Sequence, residues 1–269
     1  MHTAVPQQMT DCNLRPRLRT RKLADRRRGG RQRAQAIRWT ARLQFRQASA
    51  RRGICLCTPI MFTPRIFLLS PAFAGGKRGE LVLRDEAQFA LARRLRSAEG
   101  APLGDVFSFL SGLYFRGKMA YVRRFSSPPD GLPGALVITP TRGLVPPESH
   151  ITLEILREFK EGAVELDNPG YRNPLETHAR ALAEHTPAEC EMVLLGSIAT
   201  GKYVDILAAI YGERLVFPSA FVGRGDMSRG GLMLRAAESG EELEYVPVLG
   251  AKRHGSRPPK LEPRRWKKT

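Results

Sequence analysis

Short, continuous apolar runs alternate along this chain with longer stretches in which apolar residues recur every three or four positions. The runs at 65–69, 135–139, 192–195 and 214–217 are bounded by Gly, Pro or charged residues and read as buried strands. Phe89, Leu91 and Leu95 mark a helix over 86–97. Residues 105–125 are largely helical, with Asp105 as N-cap and breaks near Gly112 and Gly117. Further helices cover 152–159 and 174–185, the second opening on Pro174. Val204, Leu207, Ala208 and Tyr211 place another directly after 192–195. Residues 232–237 and 243–248, either side of Glu238-Ser-Gly-Glu241, read as a β-hairpin. The succession predicts an α/β fold: a three-layer, mostly parallel sheet with helices on both faces and a C-terminal β-hairpin.

Ligands of such sheets sit beyond the carboxyl ends of the strands. Four polar loops are expected there: 70–78, 139–143, 196–202 and 221–231. The spacing Gly196-x-x-x-x-Gly201-Lys202 fits most of a P-loop, but Tyr203 stands where a Mg²⁺-ligating Ser or Thr belongs. An anion cradle of backbone N–H groups is therefore expected, and ATP hydrolysis is not. Gly196, Ser197, Gly201 and Lys202 are its candidate residues. Ser70 and Lys77 are candidate ligand contacts in the first loop and Arg142 in the second. In the last loop Arg224 and Arg229 flank Asp226. Their planar guanidinium groups suit phosphate. Asp226 is the candidate catalytic residue, as a general base; a ribose ligand or a carboxylate holding the arginines is the alternative. A solvated loop with internal salt bridges is the bland reading of the same residues.

The net charge of +18 on 269 residues suggests nucleic acid until its distribution is read. Residues 1–60 hold 15 basic and 2 acidic side chains, and residues 252–269 hold 8 and 1. The stretch between them, with 21 basic and 23 acidic residues, is nearly neutral. A single α/β domain over 61–251 is expected, with a basic disordered tail at 252–269. The Arg-rich extension 1–60 lacks apolar periodicity and is expected to be disordered. It reads as a nucleic-acid-binding arm, a transit peptide, or translation upstream of a true start at Met61, the last being preferred. The four cysteines form no disulfide framework or zinc spacing. His178 and His185, seven apart on one helix, are too distant to share a metal. No metal and no cofactor is indicated. No run approaches the roughly 20 apolar residues of a membrane span, so no membrane partner is expected, and the cysteines read as reduced, as in a cytoplasm. The oligomeric state is left open.

Leu69-Ser-Pro71, Leu113-Tyr114 to Tyr121, Val137-Ile-Thr-Pro-Thr-Arg-Gly-Leu144 and Leu195-Gly196 with Lys202-Tyr203 give the layout a family likeness. It resembles small bacterial α/β proteins related to the peroxide-stress protein YaaA and to domains associated with deazaguanine modification of nucleic acids. The part from Gly196 to Gly231 is also similar to the uracil-glycosylase-like domain of archaeosine-synthesis enzymes. The resemblance implies a nucleotide or nucleic-acid context and carries no catalytic residue with it. The function expected is an anion- or nucleotide-type site at the strand ends, related to nucleic acid or a modified base. An enzyme acting on a small phosphorylated metabolite and a non-catalytic partner-binding protein are the rivals.

Overall fold

The computed structural model describes residues 63–262; the expectations for 1–60, including the start at Met61, lie outside them. The chain begins with β1 (Arg65–Leu69), α1 (Lys77–Leu83), α2 (Ala90–Arg96), β2 (Ala101–Pro102), α3 (Leu103–Ser111) and α4 (Leu113–Phe125). Then come β3 (Ala135–Thr139), β4 (Gly143–Val145), β5 (His150–Ile151), α5 (Leu153–Glu161) and α6 (Pro169–His185). The last stretch is β6 (Glu191–Leu195), α7 (Gly201–Tyr211), β7 (Leu215–Pro218), α8 (Asp226–Ser239) and β8 (Tyr245–Pro247).

Six strands form one sheet in the order β4-β3-β1-β6-β7-β8. The four inner strands are parallel, and β4 and β8 end the sheet as antiparallel edges. Ile66, Phe67, Leu68, Leu136, Val137, Ile138, Val193 and Leu194 are fully buried. That explains why these strands read as continuous apolar runs and not as alternations. From β1 the chain moves one way to β3, then returns past β1 to β6 and on to β7. Helix α4 packs on α8, and α6 packs on α7.

Several elements depart from the expectation. Residues 232–237 are not a hairpin strand; they belong to α8, and β8 pairs with β7. Arg229, Gly230, Met233 and Ala236 are buried at helical spacing, and Gly240 in the left-handed region ends the helix. Packing of this face on α4 overrides the weak helical propensity of its glycines. The stretch 139–143 is a tight turn into β4, held by Thr139 Oγ1 donating to the Gly143 carbonyl at 2.9 Å. Helix α6 begins at Pro169, capped by Asn168, so Pro174 lies inside it. Asp105 lies within α3, which starts after Pro102 and not at an aspartate cap. Residues 252–262 carry no helix or strand, yet Arg253 pairs with Asp205 at 2.7 Å and the Pro259 carbonyl accepts from Arg224.

Candidate functional site

β1 and β6 lie side by side with Leu69 opposite Leu195, so Ser70 and Gly196 leave the sheet together. The chain leaves these two strands in opposite directions, the arrangement that opens a crevice beyond the strand ends. A cleft of about 480 Å³ lies there. Ser70, Tyr114, Ser197, Lys202, Tyr203 and Asp226 supply polar groups to its lining, and Phe73, Pro140, Phe159 and Val164 supply apolar surface. Gly196 permits the close approach at its floor. A Cβ there would sit 2.9 Å from both Ser70 Cβ and the Tyr203 hydroxyl.

Lys118 of α4 reaches this point from below and is fully buried. Its Nζ donates to the Ser70 carbonyl at 2.9 Å and to Ser70 Oγ at 2.7 Å. It also stands 4.0 Å from the ring centroid of Tyr114. Burial penalises the ammonium and lowers its pKa to about 7; Asp226 opposes the shift and Arg229 adds to it. Burial likewise raises the pKa values of Tyr114 and Tyr203. Tyr203 donates to the Ser197 carbonyl at 2.8 Å. The Tyr114 hydroxyl lies close enough to Ser70 to interact, yet meets no partner at hydrogen-bond geometry among the described residues.

The expected site residues divide into those at the cleft and those away from it. Ser70, Ser197, Lys202 and Asp226 line it, and Gly201 is the first residue of α7 beside it. Arg229, 8% exposed, ties α8 to this region. It donates to the Phe221 carbonyl at 3.2 Å, contacts Asp226 Oδ1 at 3.3 Å and reaches Ser197 Oγ at 3.5 Å. Asp226 keeps 67% side-chain exposure, on the first turn of a helix and not in a loop. Arg224 turns away, donating to the Ala220 carbonyl, Ser228 Oγ and the Pro259 carbonyl. Arg142 is held by Glu158 through contacts of 3.1 and 2.8 Å. Burial alone would raise the Glu158 carboxyl, but hydrogen bonds from Arg142 and Thr141 outweigh it and hold the pKa below its ordinary value. Lys77 is exposed at the start of α1. The four expected loops therefore contribute unequally, because two of the expected cations serve turns or chain contacts.

Lys118, Tyr114 and Tyr203 are the residues that sequence reasoning missed. Lys118 carried a visible signal, since it falls on the stripe Tyr114, Lys118, Tyr121 and Val122 of an amphipathic helix, where an apolar residue is expected. Among the described residues no group of three His, Cys, Asp or Glu side chains is placed to hold a metal. Nor is any helix there long and apolar enough to cross a membrane. No protein-family model, curated protein or solved structure matches this chain.

Proposed function

We propose that the cleft binds a small anionic ligand of nucleotide type at the carboxyl ends of β1 and β6. The observation that carries this reading is the cleft of about 480 Å³ in which Ser70, Ser197, Lys202 and Asp226 meet. Its volume suits a ligand of drug or mononucleotide size. The N-terminus of α7 adds backbone N–H groups and the positive end of its dipole. Lys202, exposed beside them, adds a full charge. Phe73, exposed in the lining, offers flat apolar surface to a base, and Asp226 an acceptor for a sugar hydroxyl or base N–H. In the same reading the sheet is the middle of three layers, which right-handed crossovers leaving β1 and β6 in opposite directions favour. The kinship with YaaA-like proteins, a nucleic-acid or modified-base role and a cytoplasmic setting belong to this proposal.

Calorimetric titration of the full chain with mononucleotides, free bases, inorganic phosphate and a short single-stranded oligonucleotide tests it. Mononucleotide binding should weaken about tenfold in Lys202→Ala, a change of about 1.4 kcal/mol. The melting temperature should hold, since Lys202 is exposed. Tighter binding of the oligonucleotide would move the reading to nucleic acid. Absence of binding by every one of these ligands would end it.

A further inference from the structure

Ser70 stands between the cleft and a lysine enclosed by protein. Such a lysine is costly, because burial removes the hydration of its ammonium. The charged groups that act on Lys118 are Asp226 and Arg229 of α8, and these pair with each other at 3.3 Å. Its own hydrogen-bond contacts are both to Ser70. Tyr114 of α4 and Tyr203 of α7 also stand beside Ser70, both protonated near neutral pH because burial raises their pKa values, and Lys202 lines the same cleft. This is the pairing of a weak nucleophile with an adjacent base, which activates serine on several unrelated folds.

We propose that Ser70 is a nucleophile and Lys118 its general base in the hydrolysis of an ester whose remainder is the anionic ligand of the cleft. The choice of substrate rests on the function proposed above; the chemistry does not. Neutral Lys118 accepts the proton of Ser70 Oγ–H along the 2.7 Å contact while Oγ bonds to the ester carbonyl carbon. The carbonyl π pair moves to oxygen, where the Tyr114 hydroxyl, which meets no partner at hydrogen-bond geometry among the described residues, donates a hydrogen bond. Collapse of this intermediate breaks the C–O bond. The departing alkoxide takes the proton from Lys118, and the acyl group stays on Ser70. Water then gives a proton to Lys118 and attacks the acyl carbon. The carboxylic acid leaves and Ser70 recovers its proton. A pKa of about 7 leaves the lysine largely neutral at mildly alkaline pH.

The test exposes the full chain to a neutral fluorophosphonate, maps the adduct by peptide mass spectrometry, and follows hydrolysis of p-nitrophenyl acetate. Ser70 should be labelled, with a rate that rises through pH about 7 and then levels. Ser70→Ala should lose both readouts. Lys118→Met should lose about a hundredfold or more in rate, and Tyr114→Phe about tenfold or more. An unlabelled Ser70, or a folded Lys118→Met as reactive as wild type, overturns the proposal. Where Lys118→Met does not fold, the wild-type pH profile decides: a rate that climbs without levelling up to pH about 10 shows a serine without a neutral base. Nucleotide titration of the same samples separates the two ideas. Binding without labelling sinks the chemistry alone, whereas labelling without binding supports the chemistry and sinks the nucleotide reading.

Discussion

Lys118 couples the protein's stability to pH. Folding lowers its pKa from 10.5 to about 7. Between those values the unfolded chain binds a proton that the folded chain does not, so stability rises with pH. The full cost of the buried amine is present below pH about 7 and disappears above the free-lysine value. Replacing it with methionine removes the titrating group and keeps the volume. Urea unfolding across pH about 7.5–9.5 should show wild-type stability gaining roughly 1 kcal/mol per pH unit relative to Lys118→Met. The range stops there because Tyr114 and Tyr203, with raised pKa values, lose protons on unfolding at higher pH and oppose the trend. Parallel pH dependences in the two proteins would show that Lys118 is not held as a depressed base.

At the scale of elements, the crossing of α4 and α8 positions the site. A Cβ on Gly117 would lie 2.6 Å from the Gly230 carbonyl oxygen, and one on Gly230 would lie 2.7 Å from that of Leu113. Both obstacles are backbone, so a methyl group must push the helices apart. The same crossing holds Tyr114 and Lys118 of α4 near Asp226 and Arg229 of α8. Gly230→Ala should therefore cost about 1–3 kcal/mol in urea denaturation, the order of an overpacked core position. Gly231→Ala is the control, since its Cβ would meet only the Leu261 side chain, at 3.2 Å. There the gain in helix propensity, up to about 1 kcal/mol, should leave stability equal or higher. Equal stability of the two variants would refute the close crossing.

At the scale of the whole molecule, the first described strand is tied to residues that lie downstream of it. Arg65 pairs with Glu191 at 2.7 Å and with Glu242 at 2.5 Å, and its backbone N–H donates to the Ser127 carbonyl at 2.8 Å. Sheet edges are supplied by β4 and β8, both downstream. A chain beginning at Met61 should keep every one of these contacts. Its calorimetric melting temperature should lie within about two degrees of the full chain, a difference well under 1 kcal/mol for a domain of this size. Loss of a cooperative transition on truncation would show that the upstream residues contribute packing.

The sequence by itself determined the inner strands and most helices, because a strand covered on both faces needs an unbroken apolar run and a half-covered helix needs a stripe. It also placed Ser70, Ser197, Lys202 and Asp226 on segments that reach the cleft, since polar, Gly-rich turns after buried strands have few other places to go. It misread α8, where Glu238-Ser-Gly-Glu241 resembles a hairpin turn between two apolar segments and only contact with α4 makes the helix favourable. Arg142 and Arg224 could not be sorted from Lys202 along the chain. Arg142 is taken by Glu158, sixteen residues on, and Arg224 by the Ala220 carbonyl, Ser228 Oγ and the Pro259 carbonyl, and which way each side chain turns is set only by the folded chain. Lys118 shows the division most plainly: its place on an apolar stripe was legible, and its purpose was not. Tertiary structure alone brings β1 beside β6 in the register Leu69–Leu195 and sets Ser70 within 2.7 Å of a lysine 48 residues away. Pairing distant segments is a property of the packed sheet, and the desolvation that changes Lys118 arises only when that packing closes over it.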